Sequence, residues 1–323
     1  MTPAFRVIAD GEDVTLRIAD RLVDLSVTDV AGGEADTVEM VIDDRDGRLA
    51  LPPHQSELKV ALGLRETGLV DLGSFLVDET ELSGMPQQLR IRGTAADMSG
   101  PIRAPRTQAW EGRTLGDIAR AIAGRAGLTA LVAPALDGLI LPFVAQTAES
   151  DLHLLTRLGG LHHFTFAPKA GRLILAERGS AALPTGAAGP SPVIDATELI
   201  DWSFTLADRG AYRSVEASWT RLGTAETVKI VVGDGEPRRV LRPVYASEDE
   251  ARRAARASLQ SAATGTRRGS VTLARFGAEI FAGGRVSFSG LRPEIAGPYT
   301  VKRADHRLGT TLTTRLELEA AAD

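Results

Sequence analysis

The sequence predicts a mainly β chain with an α+β insertion: two β-barrels related by internal duplication, and a small α/β module between them. Three observations carry this. Asp24 to Ile42, DLSVTDVAGGEADTVEMVI, aligns without a gap to Asp201 to Trp219, DWSFTLADRGAYRSVEASW, at an offset of 177. Asp24, Ser26, Thr28, Gly33, Val38 and Glu39 match Asp201, Ser203, Thr205, Gly210, Val215 and Glu216, six identities in nineteen positions where chance gives roughly one. Both copies alternate apolar and polar residues, the period of a strand with one buried face. Between the copies the apolar spacing lengthens to that of helices.

Residues 1–103 read as short strands separated by turns, the first barrel. Leu25 and Val27 with Val38, Met40 and Ile42 give one apolar face to a hairpin whose loop is Ala31-Gly32-Gly33. The second copy sets Trp202, Phe204 and Leu206 on one face, as core positions. Asp43-Asp44-Arg45-Asp46-Gly47 invites a calcium reading, but Ile42 and Pro53 stand where an EF-hand loop needs an acidic residue and a glutamate. A solvated Asp-Gly turn is the better reading. Phe75 to Leu82 and Leu89 to Gly93 form another hairpin across Gly84-Met85-Pro86.

Residues 104–178 form the α/β module. Thr114 caps a helix with Leu115, Ile118, Ala119, Ile122 and Ala126 on one face, stopped by Gly127. Ser150 opens a second helix with Leu152, Leu155 and Leu158 in register, and a hairpin joins His163–Ala167 to Leu173–Ala176. His162 and His163, with His153 nearest, lack the further ligands in a recognisable spacing that a metal site needs, so surface or strand-edge histidines are the preferred reading.

Residues 179–192, GSAALPTGAAGPSP, have linker composition, and residues 193–323 form the second barrel. Leu58 to Val77 matches Arg285 to Val301 with Phe75 opposite Tyr299, an offset of 224, so the second copy holds roughly 47 extra residues. This insertion, about residues 222–265, is expected to hold a hairpin around Gly233-Asp234-Gly235. A helix from Ala251 to Ala263 follows, opened by the capping box Ser247 to Glu250. The chain closes on a strand from Thr311 to Ala320.

Composition narrows the function. At 323 residues, 43% hydrophobic and 24% charged, the chain reads as globular, and a net charge of −5 without a basic bias argues against a phosphate-neutralising surface. With no cysteine there is no disulfide, thiolate metal site or cysteine nucleophile. The N-terminus lacks the pattern of a secretory signal, and Pro134, Asp137 and Pro142 interrupt the most apolar stretch, so synthesis in the cytoplasm without membrane insertion is expected. Signatures of hydrolases, nucleotide-binding enzymes and zinc proteases are missing, so neither catalysis nor a cofactor is expected.

Several motifs, in order along the chain, point to a family. Val27 to Glu39, Ile42 to Pro52, Gly73 to Glu79, Trp110 to Ile118, Gln146 to Leu152 and Leu154 to Leu158 closely resemble the phage late control D proteins. These are baseplate hub proteins of contractile phage tails, related to the hub portion of the valine-glycine repeat spike proteins of type VI secretion. The resemblance implies two tail-tube-like β-barrels per chain and a homotrimer whose six quasi-equivalent barrels adapt a sixfold tail tube to a threefold spike around a central channel. It implies as partners the tail spike protein, the tail tube protein and other baseplate proteins, with the tape measure protein a further candidate. DNA would be passing cargo only, and the location the tail baseplate of the virion.

On that view the polar faces of the two hairpins are candidate channel-lining residues: Ser26, Thr28, Thr37 and Glu39, with Ser203, Thr205, Ser214 and Glu216. Glu39 and Glu216 from three chains would give a ring of negative charge that repels DNA. The competing reading has them facing solvent or paired with arginines on an adjacent strand. The α/β module and the Ser247 helix are expected outside the ring. Two rival functions are a peptidoglycan-binding or cell-wall-cleaving tail protein, since Thr114 to Leu128 resembles the first helix of a LysM repeat, and a tail tube protein, for which one barrel suffices.

Overall fold

A computed structural model describes residues 2–32, 34–96, 100–169, 171–177, 191–207, 212–221, 224–264 and 267–321. The N-terminal unit holds β1 (Pro3–Ala9), β2 (Glu12–Asp13), α1 (Thr15–Ile18), β3 (Leu22–Val30), β4 (Thr37–Asp43), β5 (Glu57–Leu64), β6 (Gly68–Ser83) and β7 (Gln88–Ala95). Its strands run in the order β3-β4-β7-β6-β5-β1, all antiparallel. Strict alternation sends Leu25, Val27, Val38, Met40, Ile42 and Phe75 into one core. Each such fully buried side chain contributes about 1.5–3 kcal/mol.

The middle segment holds β8 (Pro105–Thr114), α2 (Leu115–Ala126), β9 (Thr129–Val132), α3 (Pro134–Asp137), β10 (Ile140–Ser150), α4 (Asp151–His162), β11 (Phe164–Lys169) and β12 (Arg172–Glu177). Here β8 and β10 form an antiparallel ribbon, and β11, β12 and β9 a second sheet. The Thr114 hydroxyl accepts from the Asp117 amide while Asp117 reaches back to the Thr114 amide, and Gly127 ends α2 at φ +73°, so the helix has the bounds that its sequence predicts.

The remainder holds β13 (Val193–Asp195), β14 (Leu199–Leu206), β15 (Ser214–Arg221), β16 (Glu226–Gly233), β17 (Arg238–Tyr245), α5 (Glu248–Thr264), β18 (Arg267–Leu273), β19 (Arg285–Ser289), β20 (Pro298–Leu308) and β21 (Leu312–Ala320). The order β14-β18-β21-β20-β19-β13 repeats that of the N-terminal unit. Irregularities repeat too. The β3–β4 ladder shifts between Leu22 and Asp24 and the β14–β18 ladder between Leu199 and Asp201, while the shift at Val77/Glu79 returns at Val301/Arg303. One difference is that β1 lies antiparallel to β5 whereas β13 lies parallel to β19.

The structure corrects the second hairpin. β14 does not pair with β15; it pairs with β18, and β15 sits in a separate sheet between β16 and β17. The insertion therefore enters directly after β14 and not near residue 222, and β15 belongs to it. Val215 and Ala217, which alternate like a barrel strand, are buried beneath α5 instead. For the same reason Gly233-Asp234-Gly235 does not close a hairpin of two neighbours, because β15 separates β16 from β17. At the α5 start Ser247 Oγ accepts from the Glu250 amide at 3.3 Å as read, while the Glu250 carboxylate reaches back to the Ala246 amide at 3.2 Å, one residue before the position a capping box uses. Gly33, Gly210 and most of the 179–192 linker lie outside the described residues.

Candidate functional site: the polar face and the joint between the units

The two units are joined edge to edge. Beyond Val301, β20 leaves β19 and lies along β3, with Asp305 opposite Thr28, His306 opposite Val27 and Leu308 opposite Leu25. Thr28 Oγ1 donates to Asp305 at 2.6 Å, and Arg307 Nε donates to Asp24 at 2.6 Å. Leu308 and Leu312 complete the core around Leu25 and Val27. Among the described residues β1 and β3 are not neighbours, so the first unit is closed at β3 by the second unit and not by itself.

Register places Ser26 opposite Glu39 and Thr28 opposite Thr37, so these four share one face, as their alternation predicts. The face continues through Arg90, Arg92, Glu79 and Glu81 on β7 and β6 and through Arg303 and Asp305 on β20. It reaches Ser203 and Thr205 by way of β21 and β18. Glu39 is held by Arg92 Nε at 2.8 Å and Arg90 Nε at 3.4 Å, and these arginines also reach Glu79 at 3.0 Å and Glu81 at 3.1 Å. Hydrogen bonds to Glu39 and Glu79 push the Arg92 guanidinium further above its ordinary value.

Ser214 and Glu216 are not on this face. They lie on β15, where Glu216 pairs with Lys229 at 2.8 Å and Arg238 at 3.8 Å. Strand pairing makes Arg268 and Ser270 the counterparts of Thr37 and Glu39. Glu216 therefore drops out of the expected ring of six glutamates, and Glu39 is already bridged by two arginines. Trp202 and Leu206 are corrected as core positions: they are 46% and 52% exposed, because among the described residues no strand lies beside the outer edge of β14.

Three regions meet at Asp29, whose partners lie far along the chain. Its carboxylate pairs with Lys169 of β11 and accepts from the Ala282 amide at 3.0 Å. Lys169 also reaches Asp36 at 3.5 Å. Burial pushes the Asp36 carboxyl up to about 6, against the pull of Lys169 and with that of Asp29. A second buried network ties α2 to α4: Arg125 clasps Asp151 at 2.7 and 3.0 Å, and Gln146 bridges Asp151 and the Trp110 indole. His162 is driven down to about 4 by burial and by Arg253, and among the described residues no three His, Asp or Glu side chains gather as a metal cluster. The Asp43–Gly47 stretch is a turn, with Gly47 N–H donating to Asp44 O at 2.8 Å.

Comparison with known proteins decides the family. The model of the phage tail baseplate hub family matches residues 73–312, and the probable baseplate hub protein of Escherichia phage 186 is 31% identical over 99% of this chain and 93% of its own length. The chain belongs to the phage tail baseplate hub family. The hub is thus a structural component of the virion, in the tail baseplate. Its fold is shared by the 43 kDa tail protein of prophage MuSo2 from Shewanella oneidensis, with a TM-score of 0.74, 15% identity and full coverage of both chains. A type VI secretion component from E. coli is similar at a TM-score of 0.57 and 10% identity, over 94% of this chain and 74% of that one. The hub's late control D resemblance and mainly β class therefore stand.

Proposed function

We propose that three copies of the hub close into a ring of six quasi-equivalent units, which adapts a sixfold tail tube to a threefold spike. The observation that carries this reading is the repeat of one topology, down to its ladder irregularities, in two units joined edge to edge within one sheet. A two-unit chain in a threefold ring meets sixfold and threefold partners by arithmetic, and closure pairs sheet edges that a lone chain exposes. The polar face formed by Ser26, Thr28, Thr37, Glu39, Ser203 and Thr205 lines the channel on this reading. On this face Arg307 and Glu79 are well exposed, whereas Thr28 and Asp305 are covered by each other across the joint. DNA then passes a wall in which Glu39 is neutralised by arginine.

On this reading the hub acts as scaffold, and in the middle segment the fully buried Asp151 carboxylate, held by Arg125 and Gln146, serves packing. Native mass spectrometry of the hub with the spike protein of its own particle tests the ring. Three hub chains per spike trimer are expected; two or six would overturn the reading.

A further inference from the structure

The joint inside the chain is also a template for the joint between chains. We infer that the free edge of β6, from Asp78 to Ser83, pairs antiparallel with the free edge of β14 in a second copy, with Glu81 opposite Thr205. This rests on the ring reading above and specifies its contact.

The argument is one of equivalence. The ladder shifts fix β20 as β6 moved by 224 residues, Val301 for Val77, and β14 as β3 moved by 177, Asp201 for Asp24. Backbone contacts agree: Val77 N–H donates to Ser56 O and Val77 O accepts from Gln55, while Val301 N–H donates to Gly284 O and Val301 O accepts from Gly283. Beyond Val301, β20 turns to β3. Beyond Val77, β6 pairs with β7 alone on one side and, among the described residues, has no strand on the other. β14 likewise lacks a strand where β3 has β20. Among the described residues the chain therefore carries one filled joint and the two unfilled halves of another.

Transferring the register of the filled joint sets Glu81 against Thr205, Leu82 against Phe204 and Ser83 against Ser203. The chemistry matches. Glu81 stands where Asp305 accepts from Thr28, and Thr205 stands where Thr28 donates. Leu82, 59% exposed, stands where His306 faces Val27 in the filled joint, and it lands opposite Phe204 on the face where Trp202 and Leu206 are uncovered. Exposed apolar side chains on both halves, each beside unpaired backbone, are the features of an edge meant to be covered. The two halves differ from each other, so the contact is head to tail, and ring closure consumes both.

The chain has no cysteine, so paired cysteines report register cleanly. The variant Glu81→Cys, Thr205→Cys, oxidised in the purified hub and in assembled tails, should give a covalent trimer and nothing larger, since opposed Cα atoms across an antiparallel pair lie within disulfide reach. Glu81→Cys with Ser203→Cys, two residues out of register, should link roughly tenfold more slowly. Leu82→Asp, at an exposed position, should keep the fold and lose the trimer. A trimer by native mass spectrometry in which the first pair fails to link, or links no faster than the second, overturns the joint and leaves the ring standing. A hub without threefold species in either setting overturns both.

Discussion

Leu25 and Trp202 occupy the same position in the two units, yet one is fully buried and the other 46% exposed. Their own strands do not differ in kind: each carries the same ladder shift and pairs with the equivalent neighbour. What differs is the far side. β3 has β20 beside it and takes Leu308 and Leu312 into its core, whereas among the described residues β14 has no strand there. Burial of the first strand of a unit is thus decided by what lies beside it, which for β3 is the next unit along.

The largest effect should come from breaking the covered member of the pair. Leu25→Ala should cost about 3 kcal/mol in urea denaturation of the free chain, by transfer and cavity terms, while Trp202→Ala should cost under about 1 kcal/mol there and instead abolish assembly. Equal losses in the free chain would erase the distinction. Next is the node that fixes the units against the middle segment. Asp29→Ala leaves Lys169 without its nearer carboxylate and the Ala282 amide without its acceptor, a loss of about 2 kcal/mol, visible as earlier unfolding and faster proteolysis of the middle segment.

A third effect depends on pH. Asp36 holds its proton more tightly in the folded chain, at about 6 against 3.8. Its contribution is therefore greatest at low pH, is lost as pH climbs from about 4 to about 6, and stays lost above. Asp36→Asn keeps an acceptor for the Val30 amide without the charge, so it should gain about 1–2 kcal/mol on the parent at pH 7 and nothing near pH 4. A parallel pair of stability profiles would remove that assignment. The smallest effect compares Phe75 with its counterpart Tyr299, whose hydroxyl donates to Ile295 O at 2.9 Å. Tyr299→Phe should cost about 1 kcal/mol or less, since the ring stays and only one hydrogen bond goes.

The sequence carried those parts of the duplication that lie on uninterrupted strands. Asp24, Ser26 and Thr28 match their counterparts by identity, and Phe75 and Tyr299 by ring and by offset, because a strand with one buried face keeps its period. The partner of β14 was hidden. Val38, Glu39 and Thr37 correspond to Gly269, Ser270 and Arg268, which share no identity, and the insertion places β15 where a gapless alignment looks for β18. Alternation alone made β15 a convincing substitute, since its apolar face is real and merely serves α5. Alternation also says which side of β14 is apolar, but not whether anything covers it. Of the eight residues read as channel candidates, Ser26, Thr28, Thr37, Glu39, Ser203 and Thr205 share the polar face; Ser214 and Glu216 left it for the same reason. The Asp29–Lys169 contact spans 140 residues and leaves no local trace.

Rows of carboxylate and arginine alternate from β6 to β7 to β4, and strands lie about 4.8 Å apart, so the charge pattern repeats over roughly 10 Å. A potential of that wavelength fades e-fold in about 1.6 Å from the wall, well inside the ~8 Å over which salt screens. On the proposed ring reading, where this face lines the channel, the alternating part of the field is thus short-ranged, while Glu39, Glu79 and Glu81 against Arg90 and Arg92 leave one net negative charge on these three strands to act further out. Transit of a polyanion past that wall should therefore ease modestly as salt is raised.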